Sequence, residues 1–311
     1  MAADPSRPLL ALVGPTAVGK TALSLALARR FDGEIVSADS RLFYRGLDIG
    51  TAKPTAAERA AAPHHLIDIA DPGETISLGQ YRRLATVAID DVLARGRLPI
   101  LTGGTGQYVM AVVEGWGIPE VAPRPALRAA LERLGGAEAA RWLAALDPAA
   151  AGRIDPRNVR RVVRALEVTL VSGRPISELQ RKTPPPYDVR LVGLRRDRAA
   201  LYARIDARVD EMMAAGLLDE VRQLRDAGYA DAPPLSGLGY RQLLAHLRGE
   251  TTLDEAVARI KFETHRFARQ QATWFRADDE RIAWFEAEDG VGVVEFVAKW
   301  RGEAQGSRGE H

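Results

Sequence analysis

Apolar positions at the start of this 311-residue chain fall in short runs separated by polar turns. Leu9, Leu10, Ala11, Leu12 and Val13 form one run, as a buried strand would. Ala22, Leu23, Leu25, Ala26, Leu27 and Ala28 follow with strong helix formers. Glu34 to Asp39 reads as a second buried strand that ends in a carboxylate. Ser77 to Arg95 carries apolar residues at helical spacing and stops at Gly96. Leu98 to Leu101 reads as a third strand. Strands alternating with helices predict a parallel sheet covered by helices.

The pattern changes near Gly115. Pro119, Pro123 and Pro125 mark a linker, helical segments follow with turns near Gly135 and Asp147-Pro148, and Pro184, Pro185 and Pro186 close the block. Val189 to Leu194 then resumes a strand. The parse is a core of residues 1–118 and 187–311 with a helical insertion at 119–186. Leu201 to Gly228 reads as another long helical region, and Gly237, Gly239, Tyr240 and Arg241 lead into the next helix. The last long helix is predicted from Leu253 to Arg276, with Ile260, Phe267 and Trp274 on a heptad line expected in the core.

Composition narrows the classes. The chain has no cysteine, which excludes disulfides and thiolate metal sites. No apolar run is long enough for a bilayer, and the N-terminus lacks the basic start of a signal peptide, so a cytoplasmic protein is expected. The 43 basic and 41 acidic residues nearly cancel, but arginines cluster on two helices. Arg157, Arg160, Arg161 and Arg164 share one face at i, i+3, i+4 and i+7 of a helix whose start is set by Asp155-Pro156. Four such charges repel unless an anion lies across them, which points to a phosphate backbone. Arg259, Arg266, Arg269, Gln270, Thr273 and Arg276 form a second basic face.

The candidate chemistry starts at Gly14, Pro15, Thr16, Ala17, Val18, Gly19, Lys20 and Thr21, which fit G-x-x-x-x-G-K-[ST] between a strand and a helix. Amides at the helix N-terminus would point at phosphates, Lys20 adds a charge, and the Thr21 hydroxyl suits a phosphate-bound Mg²⁺. The fold class expected is α/β, a P-loop NTPase-like parallel sheet with helices on both faces and an inserted helical domain. Asp39 lies at a strand end, where open α/β sheets bind ligands, and could hold Mg²⁺, take a proton or simply make an Asx-turn. A second glycine loop, Thr102 to Gly106, brings the Thr105 hydroxyl to the same edge. The third strand lacks the terminal acid an ATPase would use for Mg²⁺. His64 and His65, adjacent on a strand, would point to opposite faces and make a poor metal pair.

The motifs GPTAVGKT, DSRLFYRGLDIGTAKP from Asp39, PHHLID from Pro63, GGTGQY from Gly103, RRVVRALEV from Arg160, GLGYRQ from Gly237 and ARQQATWFR from Ala268 occur in sequence. In order and spacing they resemble the tRNA dimethylallyltransferase family, over about Leu9 to Arg276. Gln107 and Gln270 depart from the commoner hydrophobic and basic residues there. The resemblance implies transfer of a dimethylallyl group from dimethylallyl diphosphate to the exocyclic amine of the adenosine 3′ of the anticodon. The P-loop would hold the diphosphate of the isoprenoid and no nucleotide. Asp39 would be the base, Thr105 would orient the amine, and Arg208 would stabilise the leaving group. The tRNA anticodon loop would meet Asp39, Ser40, Arg41, Leu42, Thr105, Arg160, Arg161, Val162, Val163, Arg164, Ser236, Gly239, Tyr240, Arg241, Arg269, Gln270, Gln271, Thr273 and Arg276. A monomer is expected. The alternatives are a P-loop small-molecule kinase turning over ATP, an adenylate isopentenyltransferase acting on free AMP or ATP, and a non-catalytic RNA-binding protein.

Overall fold

A computed structural model of the protein describes Asp4 and residues 7–306. β1 (Pro8–Val13), β2 (Gly33–Ser37), β3 (His64–His65), β4 (Leu98–Thr102), β5 (Asp188–Arg195) and β6 (Ile282–Glu286) form one sheet in the order β3-β2-β4-β1-β5-β6. Every neighbouring pair is parallel. Parallel neighbours need crossovers, which helices supply. The first part of the chain carries α1 (Lys20–Phe31), α2 (Ala56–Ala61), α3 (Leu78–Ala94) and α4 (Gly106–Val113). Then come α5 (Pro125–Arg133), α6 (Gly136–Leu146), α7 (Pro148–Ala151), α8 (Val159–Ser172) and α9 (Ile176–Leu179). The chain continues with α10 (Arg198–Ala214), α11 (Leu217–Leu224), α12 (Tyr240–Leu247), α13 (Leu253–Gln271) and α14 (Gly290–Gly306).

The strands are apolar on both sides because both sides are covered, as parallel sheets require. Leu10, Leu12, Ile35, Ile100, Val192 and Leu194 make one core with Leu25 and Leu27 of α1, Leu201 and Ile205 of α10, and Val293 and Val297 of α14. On the other face, α3 packs on β2 and β4, and α4 on β1. Local chemistry sets the helix starts. Ser77 and Gln80 form a capping box at α3, Thr252 and Glu255 another at α13, and the Asp197 carboxylate accepts from the Ala199 and Ala200 amides at α10.

The chain divides into two compact units, one running to Val113 and resuming at Pro185, the other Glu114–Pro184. The second unit starts at 114 rather than 119 and closes at 184 rather than 186. The reason is pairing between its own ends. The Gly117 amide donates to the Arg181 carbonyl, and that of Thr183 to Gly115, both at 2.9 Å. Its core holds Leu131, Leu143, Val162, Val163, Leu166 and Ile176.

The helical region expected from Leu201 is present, divided into α10 and α11 by Gly216 at φ 97°. Other sequence expectations are corrected. The last long helix stops at Gln271, so Trp274 lies beyond it. Phe267 and Trp274 are 39% and 41% exposed, not core. The arginine-bearing helix begins at Val159 with Asn158 accepting from the Arg161 amide, so Arg157 belongs to the preceding turn, paired with Asp155. β6 and α14 lie outside the sequence expectations.

Candidate active site

β1, β2 and β4 all end at one edge, with Leu12 level with Thr102 and Ser37 level with Thr102 in the register. The P-loop leaves β1 there. Gly14 has φ 140°, and a Cβ on it would lie 2.6 Å from the Leu194 carbonyl oxygen, so only glycine lets the loop turn against β5. Ala17 sits at φ 62°, a left-handed conformation that an alanine holds at a cost. α1 opens at Lys20 with no side-chain cap, leaving its first amides to an anion. The Lys20 ammonium donates to the carbonyls of Gly14 at 2.9 Å and Pro15 at 2.8 Å. An ammonium has three donors, so one remains for a ligand. Burial pulls its pKa down to about 8, against the opposing pull of the Asp39 charge and with added repulsion from Arg208.

Side chains from distant elements brace this loop. Arg208 donates to the Thr16 hydroxyl at 2.7 Å, and Arg204 to the Ala17 carbonyl at 3.1 Å, both from α10. Gln271 accepts from the Thr16 amide at 2.7 Å. The Arg208 Nε is buried with no partner among the described residues, a donor in place for an anion. Burial also holds this guanidinium below its usual pKa, partly offset by Asp39.

Asp39 follows β2. Its Oδ1 accepts from the Arg41 amide at 2.9 Å, an Asx-turn that fixes the carboxylate. The Asx-turn expected of Asp39 is thus formed, and its Oδ1 carries that bond. The Ser40 amide donates to the Thr105 hydroxyl at 3.3 Å. The loops after β2 and β4 approach this closely because Gly103 lacks a Cβ, which would fall 2.2 Å from the Ala38 carbonyl oxygen. The charge of Asp39 is felt by Lys20 and Arg208, so carboxylate and phosphate loop share one local field.

The segment from Asp39 to Pro54 is held from below by Glu220 of α11. Its carboxylate accepts from the amides of Asp48 at 2.9 Å, Ile49 at 2.7 Å and Gly50 at 3.1 Å, and from the Tyr240 phenol at 2.6 Å. Lys53 is buried and donates to the Tyr44 carbonyl, Asp48 and Asp68. No local motif announces Glu220, whose backbone partners at Asp48, Ile49 and Gly50 are some 170 residues away. His64 and His65 are likewise engaged within the protein, at the Ala62 carbonyl and at Glu34.

The remaining candidate residues divide. Arg160 and Arg161 are exposed on α8, and Arg269, Gln270, Thr273 and Arg276 are exposed at and beyond the end of α13. Ser40, Arg41 and Leu42 are partly accessible and Arg241 is exposed, paired with Glu263. Others are turned inward, a correction to the expected RNA contacts. Val162 and Val163 lie in the core of the second unit because they occupy the apolar stripe of α8. Gly239 and Tyr240 are buried, with the Tyr240 phenol spent on Glu220. Gln271 is 4% exposed, and its amide also donates to the Gly104 carbonyl at 2.7 Å. Arg164 is half-buried, donating to Glu167 at 2.6 Å and to the Val121 carbonyl at 3.0 Å. The inward acid Glu167 thus neutralises part of a face that looks purely basic in sequence.

A cradle of amides and cations with a fixed carboxylate beside it marks a P-loop enzyme that handles a phosphorylated substrate. The chain belongs to the IPP transferase family, whose model matches residues 42–278. A curated relative from Roseiflexus sp. strain RS-1, a tRNA dimethylallyltransferase, is 61% identical over 274 residues, covering 86% of this chain and 90% of that protein. The crystal structure of a tRNA isopentenylpyrophosphate transferase from Bacillus halodurans has a TM-score of 0.74 at 39% identity, covering 98% of this chain and all of that one. A eukaryotic dimethylallyltransferase acting on tRNA has a TM-score of 0.79 at 27% identity, over 91% of this chain and 74% of that chain.

Proposed function

We propose that this protein transfers a dimethylallyl group from dimethylallyl diphosphate to the exocyclic amine of the adenosine 3′ of the anticodon in tRNA, position 37, releasing diphosphate. The observation that carries the reading is the stitch between Ser40 and Thr105, which sets the Asp39 carboxylate and the Thr105 hydroxyl together at the P-loop edge of the sheet. Family membership and the tRNA enzymes it resembles support the same activity. They disfavour a small-molecule kinase and an enzyme for free AMP.

An adenine amine is a weak nucleophile because its lone pair is delocalised into the ring. As its nitrogen bonds to the allylic carbon, the carbon–oxygen bond to the diphosphate breaks and Asp39 takes the amine proton. Thr105 orients the amine. Charge grows on the bridging oxygen of the departing diphosphate, where the loop amides, Lys20 and the free Nε of Arg208 can meet it. The adenine must leave the loop stack to reach this edge. Arg160 and Arg161, with Arg269, Gln270, Thr273 and Arg276, would hold the RNA. Val162, Val163, Gln271 and Tyr240 serve by shaping the elements that carry those contacts. The protein would act as a monomer in the cytoplasm, and among the described residues no helix is long and apolar enough to cross a membrane.

Among the described residues no group of three acidic or histidine side chains could hold a metal. The exposed Thr21 hydroxyl would hold a Mg²⁺ brought in with the diphosphate and its water. Such an ion would neutralise phosphate charge. The deciding experiment is mass spectrometry of tRNA incubated with the protein, Mg²⁺ and dimethylallyl diphosphate. A prenyl adduct confined to the adenosine 3′ of the anticodon is expected. Unmodified tRNA, or ATP turnover in its place, would overturn the reading.

A further inference from the structure

Gln271 is a buried amide with both ends engaged across long stretches of chain. Its Oε1 faces the Thr16 amide, 255 positions away, and its Nε2 faces the Gly104 carbonyl, 167 positions away. One partner can only donate and the other can only accept, so the orientation of the amide is unambiguous. A Cβ at Gly104 would stand 2.3 Å from the Gln271 Nε2, so a larger residue there would push this amide aside.

The two partners belong to the two halves of the reaction. Thr16 is part of the diphosphate cradle, and its hydroxyl accepts from Arg208. Gly104 precedes Thr105, the hydroxyl stitched to the Asp39 turn. Gln271 itself is the last residue of α13, and the chain around it exposes Arg269, Gln270, Thr273 and Arg276. Three functional segments therefore converge on one buried side chain whose polar atoms are both taken up by protein partners.

We propose that Gln271 is a positioning residue that couples the two substrates. RNA held by the end of α13 fixes the Gln271 amide, which sets Thr16 and through it the Arg208 fork, so that tRNA and the diphosphate tighten one another. This rests on the function proposed above. By linkage, each ligand must raise the other's affinity by the same factor.

The test measures the affinity of inorganic pyrophosphate for the whole protein, with and without a saturating anticodon stem-loop RNA. In the unaltered protein the RNA should tighten pyrophosphate by ~5–150-fold, the usual range of such coupling. In Gln271→Met, which keeps the volume and loses both hydrogen bonds, that factor should fall to near one while RNA affinity measured alone changes little. Gln271→Glu keeps the acceptor for Thr16 and loses the donor to Gly104, so its factor should also drop. If thermal melting shows Gln271→Met to be unfolded, the Gln271→Glu factor decides. An unchanged factor in the folded variants, or no coupling in the unaltered protein although both ligands bind, overturns the inference and leaves the activity standing. A protein that binds neither pyrophosphate nor the stem-loop overturns the proposed function and the coupling with it.

Discussion

The Ser40 backbone amide donates to the Thr105 hydroxyl at 3.3 Å, one residue from the Asp39 carboxylate. Asparagine at position 39 would keep the Asx-turn, because its side-chain oxygen still accepts from the Arg41 amide, but it could not take a proton. Asp39→Asn should therefore lower kcat by ~10²–10⁴-fold, the usual worth of a positioned base, with tRNA affinity in filter binding near normal. A large loss of tRNA affinity would make Asp39 a contact residue instead.

Lys20 supplies a pH limb. Burial lowers it to about 8, so it is charged below that pH and loses its proton as pH rises through it. The kcat/KM for dimethylallyl diphosphate should fall above about pH 8. Bound diphosphate favours the charged form, so the limb in kcat should move to higher pH. Lys20→Met should cost ~10²–10³-fold in kcat and remove the limb. A kcat/KM profile that stays level to pH 9.5, about a unit and a half above the free-enzyme value, would place the charge elsewhere.

The arginines of α8 should separate into two kinds. Replacing Arg160 and Arg161 together should weaken tRNA binding and flatten its salt dependence by ~0.7–0.9 log units for each phosphate no longer neutralised. Arg164→Ala should instead act on stability, since it strips a partner from the buried Glu167, at a cost of ~1–3 kcal/mol. Denaturant titration beside salt-dependent binding distinguishes them. An unchanged salt slope in the double variant would make that face merely solvated.

Two inward acids should govern acid stability. Burial alone would raise Glu34, but hydrogen bonds from Arg95, His65 and Arg97 outweigh it and hold the carboxyl at about 2. Glu167 reaches about 2 in the same way, against burial, through Arg128, the Arg124 amide and Arg164. A carboxylate whose folded pKa is depressed stabilises fully above its unfolded value and loses that contribution as pH falls toward the folded one. Stability should thus decline from about pH 4.5 downward to about 2. Glu34→Gln should be less stable at neutral pH and lose less on acidification. Melting curves between pH 7 and 2.5 check this, and equal pH dependence in both proteins would refute it.

What could be read from sequence was whatever is encoded locally. The apolar run from Leu9, the glycine motif and the helix formers after Thr21 lie in one continuous stretch, so β1, the P-loop and α1 were legible together. The meeting of the Asp39 and Thr105 loops at one edge was legible because both follow strand ends of the same sheet. β6 was not, because Ile282 to Phe285 is four apolar residues ahead of Glu286, a run that periodicity cannot tell from a helix turn. The heptad through Phe267 and Trp274 misled because periodicity marks neither where α13 stops, ahead of Trp274, nor that Phe267 within the helix is left uncovered. Glu220 and Gln271 take their meaning from partners far along the chain, and a carboxylate or amide on a helix carries no sign of such a partner. Arg164 looked like an RNA contact because nothing in the sequence shows that Glu167, three positions on, turns inward beside it.

The scaffold around Thr16 and Ala17 has a bearing on turnover. Arg208, Arg204 and Gln271 grip those two residues from α10 and α13, so the fold roughs out the loop and, on the coupling proposed above, RNA seated on α13 would give it its final set. Departure of the prenylated tRNA would then slacken the hold on diphosphate, so that the two products leave together and the next isoprenoid is gripped only once fresh tRNA has docked.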